Sequence, residues 1–402
     1  AAGIKAISST ELFEMANRVY GGTRAEGAYT SRDAYDALET GVNLYLRGRD
    51  DLAPQGNAEA AAENIRAIDT IIQELPSQTR RSEGQTQLQQ FSTPPTHAHA
   101  AAWVANLAER DVVLEPSAGT GSLIAPAQAA DARVVANEYD PGRAELLERF
   151  DVAVHREDAQ HINATLPKDV QPSVVLMNPP FSSNLKRPGK KDLQVGARHV
   201  EEAMRRLQPG GRLVAILGRG MREDAASQQV QRFWKRIGDQ YNVRANVGIS
   251  GQAYKQYGTT FDNRIVVLDN TAPDGENPVT GDVESVDELP ALLEEVRNDR
   301  PESTEPQAGA RSGGARLPQT DRGTAEGRGS GGTGTGGVGT GTAAGRARTQ
   351  RGERGGSSGR GQGSDNARDA AGTARVSDER GTGGPRRDDD SQAVSPAQDG
   401  TD

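Results

Sequence analysis

The chain of 402 residues contains no cysteine. Disulfide frameworks and cysteine-ligated zinc are thereby excluded. Zero cysteine suits a cytoplasmic protein, and that is the expected location. Aromatic residues make up only 4% of the chain, and every one lies before position 271. No apolar run approaches the ~18 residues needed to span a membrane, and no secretory signal pattern is visible. There is no glycine-lysine-serine or glycine-lysine-threonine phosphate loop, so no nucleotide-driven motor is indicated.

What is present is unevenly distributed. Residues 301–402 hold 25 of the 48 glycines, no lysine, and 14 arginines against 14 acidic residues. So little apolar surface cannot offset chain entropy, and a disordered tail that acts as a spacer is expected. Residues 271–300 carry 2 basic and 9 acidic groups and read as an acidic segment. Residues 1–270 carry 31 basic and 33 acidic groups, a net −2. A body so close to neutral argues against tight, autonomous binding to a nucleic-acid duplex.

The densest information lies between these positions. Val174 to Met177 is a continuous apolar run, the pattern of a buried parallel strand, and it ends in Asn178-Pro179-Pro180-Phe181. Asn178 offers an acceptor oxygen, the prolines leave their carbonyls free, and Phe181 offers a stacking face. Together they can hold a planar group that carries an exocyclic amine, such as adenine. Upstream, the strand Val112–Leu114 runs into Glu115-Pro116-Ser117-Ala118-Gly119-Thr120-Gly121, where two glycines let the backbone approach a ligand closely. A strand from Arg133 to Ala136 leads to Glu138, and one near Val152 to His155 leads to Asp158. Positions 115, 138, 158 and 178 are spaced by 23, 20 and 20 residues. One strand plus one crossover takes about that length, so each unit delivers a polar group to the same rim of an α/β sheet. A carboxylate about 20 residues beyond a glycine turn suits ribose hydroxyls.

These residues resemble the S-adenosylmethionine-dependent N6-adenine methyltransferases in their gamma motif order. The resemblance covers about residues 85 to 270. It implies that Glu115, Pro116, Ala118, Gly119 and Gly121 form the cofactor loop. It also implies that Glu138 binds the cofactor ribose and Asp158 its adenine. Gln90-Phe91-Ser92-Thr93-Pro94-Pro95 looks like the segment that closes over the methionine half, through Phe91, Thr93 and Pro94. Asn178 to Phe181 matches the catalytic motif, and Tyr257 lies in a late motif near the target base. The lead-in from Gln78 to Glu83 also looks like the methylase region of plasmid and phage proteins that fuse a methylase to a strawberry-notch-like helicase.

The expected fold is therefore a Rossmann-like methyltransferase sheet with helices on both faces. Residues 1–84 are expected to form a helical subdomain, from apolar spacing in Tyr35, Leu38, Val42 and Leu46 and in Ile65, Ile68, Ile71 and Ile72. The methyltransferase domain is expected over 85–270, the acidic segment over 271–300 and the tail over 301–402. Lys186, Arg187, Lys190 and Lys191 follow the catalytic motif and are candidate phosphate contacts. His97, His99 and His155 lack ligand spacing, so no metal is expected. The expected activity is methylation of adenine N6 in DNA, with a helicase or specificity subunit supplied separately. RNA adenine and protein glutamine are alternative substrates. A non-catalytic DNA-binding or antirestriction role is the alternative of a different class.

Overall fold

The computed structural model describes residues 6–76, 92–180, 195–252 and 262–303. Three helices come first: α1 (Ser9–Tyr20), α2 (Ser31–Arg47) and α3 (Ala58–Gln73). Each start is fixed by a side-chain cap. Ser8 with Glu11 and Thr30 with Asp33 form reciprocal capping boxes, and Asn57 caps α3. Gly21 ends α1 at φ 70°, a conformation open to glycine at little cost.

Helix α4 (Pro95–Val104) opens with a proline, whose missing N–H costs nothing in a first turn. All ten of its residues are buried, including His97 and His99. Burial holds these two imidazoles down to about 3 and about 4, so both are neutral parts of the core. Strands β1 (Val112–Glu115), β2 (Arg133–Asn137), β3 (Ala153–His155) and β4 (Val174–Met177) then alternate with short helices. These helices are α5 (Ile124–Ala129), α6 (Pro141–Leu147) and α7 (Ile162–Thr165). They are followed by α8 (Val195–Arg206), β5 (Arg212–Gly218), α9 (Gln228–Gly238), β6 (Asn242–Ile249), β7 (Asn263–Asp269), β8 (Val279–Val283) and α10 (Leu289–Asn298).

The strands form one sheet of order β3-β2-β1-β4-β5-β7-β6-β8. The first five are parallel, and β7 runs antiparallel between β5 and β6. This is the expected Rossmann-like arrangement. The winding direction reverses between β1 and β4, so the crevice beyond their carboxyl ends is where such sheets bind ligands. The apolar runs split between two faces. Val113, Val174, Leu176 and Val214 join one core with Trp103 and Ile124, while Leu114, Val175, Met177 and Leu213 join the other with Met204 and Phe233. Burial on both faces explains why these strands read as unbroken apolar runs.

Packing crosses two of the boundaries drawn from the sequence. Ala61 and Ile65 of α3 belong to the same core as Trp103 and Leu176, while α1 and α2 pack Leu12, Ala16 and Tyr35 in a cluster of their own. Residues 271–300 are not a bare acidic segment. They add β8 in parallel to β6 and bury Leu289, Leu293 and Val296 of α10 in that core. The fold runs on to residue 303, where the Glu302 carbonyl lies against Gly210. The tail that follows lies outside the described residues.

A fully buried ion pair closes the base of the sheet. Arg212, first in β5, grips Asp269, last in β7, at 2.7 and 2.9 Å. Its guanidinium also donates to the carbonyls of Val104 and Val296, at the ends of α4 and α10. Asp269→Ala strands this cation, and unpairing a buried charge costs about 3–5 kcal/mol. Urea unfolding should show that loss. A chain ending at residue 303 should melt at the full-length temperature, whereas one ending at 270 should not fold.

Candidate functional site

The carboxyl ends of β1, β2 and β3 are stitched by one buried side chain. Asn137 donates from Nδ2 to the carbonyls of Pro116 and Glu157, and its Oδ1 accepts the Glu157 N–H at 2.8 Å. Its own carbonyl accepts the Ala118 N–H at 2.9 Å. Three strand ends thus share one polar hub, and the loops they launch are held at one level.

The glycine loop is shaped by sterics. Gly119 has φ 55° and Gly121 has φ 88°. A Cβ on Gly121 would lie 2.5 Å from the Phe150 ring, so this turn needs glycine for its conformation and for space. The Gly119 N–H donates to Glu138 Oε2 at 2.7 Å, and the Asp140 N–H donates to Oε1 at 2.8 Å. Each oxygen of Glu138 therefore keeps a second lone pair for another donor. Burial raises the Glu138 carboxyl, although these N–H groups and Arg143 oppose the shift.

Glu115 is 1% exposed. Its Oε1 accepts the Ser117 N–H at 3.1 Å, while Oε2 has no hydrogen-bond partner among the described residues. Burial pushes this carboxyl well above its usual range. A buried acceptor left open is costly unless something meets it. Across the switch point, Asn178 follows β4 and donates from Nδ2 to Thr93 Oγ1 at 2.9 Å. That bond links the residues after β4 to the segment before α4. Pro179 and Pro180 follow, and the Pro180 carbonyl passes so close to α8 that a Cβ on Gly196 would sit 3.3 Å from it. Asp158 is exposed, and its Oδ1 caps the turn at Gln160.

The structure thus brings together Thr93, Pro94, Glu115, Pro116, Ala118, Gly119, Gly121, Glu138, Asn178, Pro179 and Pro180, with Asp158 at the next strand end. Phe91, Phe181, Lys186, Arg187, Lys190, Lys191 and Tyr257 lie outside the described residues. Sequence reasoning missed three contributions. Tyr139, beside Glu138, is 68% exposed and offers an aromatic face at the rim. Asn43 of α2 donates to the Thr120 carbonyl and to Ser122 Oγ. Arg143 of α6 is buried and paired with Asp36 of α2 at 2.9 and 3.0 Å. The first was legible as an aromatic next to a rim acid. The other two join residues tens of positions apart and leave no local signal.

No family model matches the chain, and no curated protein matches it. Solved structures do. A modification subunit of a putative type I restriction enzyme from Vibrio vulnificus YJ016 aligns with 16% identity and a TM-score of 0.42. The alignment covers 59% of this chain and 58% of that one, so the chain spans less than two thirds of that subunit's length. A putative class I S-adenosylmethionine-dependent methyltransferase from Listeria monocytogenes aligns with 14% identity and a TM-score of 0.45, covering 72% of this chain and 98% of that one. The EcoKI M protein of a type I restriction enzyme aligns with 14% identity and a TM-score of 0.38, over 65% and 67% of the two chains.

Gly121→Ala tests the loop directly. Phe150 is fully buried and cannot swing away, and the added Cβ also meets an unfavourable φ. A loss of about 2 kcal/mol or more is expected from overlap plus backbone strain. Combining it with Phe150→Leu should recover part of the melting temperature, since the overlap is relieved while the strain persists.

Proposed function

We propose that this chain transfers a methyl group from S-adenosylmethionine to the N6 amine of adenine in DNA. The observation that carries the reading is the hydrogen bond from Asn178 Nδ2 to Thr93 Oγ1. It commits the amide nitrogen to the protein and leaves the Asn178 oxygen as an acceptor at the end of β4. An acceptor fixed there can take a hydrogen from an exocyclic amine and orient its lone pair.

The residues around the crevice fit the cofactor. Glu138, with a free lone pair on each oxygen, suits the two ribose hydroxyls. Glu115 Oε2 supplies the open acceptor beside the loop that Gly119 and Gly121 keep free of side chains, and Asp158 suits the adenine amine. When bound, S-adenosylmethionine supplies an electrophilic sulfonium methyl. The work left to the protein is positioning. An adenine amine is a weak nucleophile because its lone pair is delocalised, so acceptors that localise it and stabilise the charge developing on nitrogen lower the barrier. No strong base is needed before attack, and among the acids at this rim none is assigned that role.

DNA as substrate rests on the resemblance of the motifs from Phe91 to Phe181, with Phe181 stacking on an extruded base and Tyr257 supporting it. Lys186, Arg187, Lys190 and Lys191 are assigned to phosphates. The near-neutral body favours weak, sequence-tolerant binding, with specificity supplied by a separate subunit or helicase.

Labelled-methyl incorporation into DNA, RNA and protein separates the substrates. Incorporation into DNA adenine alone is expected. Asn178→Ala should abolish transfer while leaving cofactor affinity within about twofold, as befits a residue that acts on the target. Glu138→Ala should weaken cofactor binding by about tenfold or more in calorimetry, the loss expected for charge-assisted hydrogen bonds. Wild-type turnover by Asn178→Ala would overturn the mechanism.

A further inference from the structure

Helix α2 lies outside the glycine-loop fold, yet it places an acid against the candidate cofactor site. Thr120, between the two loop glycines, donates from Oγ1 to Glu39 Oε2 at 3.3 Å. The Ser92 hydroxyl lies near enough to this carboxyl to oppose its upward shift. Glu39 therefore touches the glycine loop and shares a cavity wall with Pro95 at the start of α4.

The neighbouring acids are already engaged. Asp36, one turn earlier, is held by both arms of Arg143 and by Arg32. Glu138 accepts two backbone N–H groups, and Asp140 pairs with Arg32 and caps α6. Among the described residues no cation lies within ion-pair distance of Glu39. The residue is half-buried. It lines a water-sized cavity of about 30 Å³ whose other walls include Tyr35, Asn43, Ser122 and the apolar Leu38, Ile72 and Pro95. Beyond the same loop, the buried Glu115 Oε2 has no hydrogen-bond partner among the described residues. Two acids flank one loop, and among the described residues neither is in an ion pair, an arrangement that fits a positively charged ligand group.

We propose that Glu39 binds the α-ammonium group at the amino-acid end of the cofactor, so that the N-terminal helices complete the cofactor site. The assignment rests on the cofactor reading given above. It explains why an acid is kept where burial and the nearby Asp36 carboxylate push it up to about 7, with Arg143, Ser92 and Thr120 only partly opposing them. A cation arriving there discharges an unfavourable site. The sign for the free protein follows. The folded-state value lies above the ordinary 4.5, so this group's contribution to stability is full below 4.5 and is lost as pH rises through about 7.

The test is Glu39→Gln, which keeps the shape and the hydrogen-bonding capacity. Affinities for S-adenosylmethionine, S-adenosylhomocysteine and 5′-methylthioadenosine are measured by calorimetry at pH 8. The first two carry the ammonium group and the third lacks it. The variant should bind the first two about tenfold or more weakly and the third unchanged. The ligand-free variant should melt higher than the wild type at pH 8 and equally at pH 4.5, which also shows that it folds. Equal affinity of both proteins for all three ligands overturns the role of Glu39 while leaving the cofactor reading intact. A uniform loss across all three also overturns it, since that marks a purely structural part. If the wild type binds none of the three, the cofactor reading itself fails, and this assignment with it.

Discussion

The pairing of Asp36 with Arg143 is the contact on which the arrangement of the site depends. The two side chains are 8% and 4% exposed, and they are separated by more than a hundred residues of chain. Taking both charges out of water costs several kcal/mol per ion, so the pair is not a simple source of stability. Its effect is on register. Once Arg143 is buried beneath the glycine loop, α2 has only one position in which Asp36 can meet it. That position also sets Asn43 on the Thr120 carbonyl and Glu39 on the Thr120 hydroxyl. A helical layer with no motif of its own becomes a wall of the crevice.

The rim shows a division between groups that are spent on the protein and groups that are not. Asn137 uses both ends of its amide, and the Pro116 carbonyl is consumed by it. Glu138 is half used, Glu115 is half used, and Asn178 has its nitrogen used and its oxygen unassigned. Such a pattern is what preorganisation requires, since a group can be aimed only if another part of it is anchored. The incomplete bonding lies at the carboxyl ends of β1, β2 and β4, around the switch point between β1 and β4.

Much of this was legible in the chain. The runs at Val112, Arg133, Val174 and Arg212 became strands because sheets covered on both faces require uninterrupted apolar runs. The rim acids were found because one strand and one crossover repeat at a nearly constant length. Two things were hidden for different reasons. Asp36, Asn43 and Arg143 carry no local signal in the chain, and only tertiary contact reveals their partners. Residues 271–300 were obscured by their composition: nine acids drew attention from Leu289, Leu293 and Val296, whose spacing is that of one helix face. Periodicity was the better guide there, because a few buried side chains are enough to dock a helix whatever the charge of its outer face.

The acidity of that segment acquires a different meaning once β8 is placed. β8 is the outermost strand on its side of the sheet, and an open strand edge can pair with the edge of another molecule. Its central residues are exposed and include Gly281, at φ 141°, and Asp282, with Glu284 just beyond. A strand interrupted by a glycine in that conformation and flanked by carboxylates is a poor template for a second copy. Residues that read from sequence only as an acidic segment thus form a strand edge, with Asp282 turned to Arg264 and Arg222.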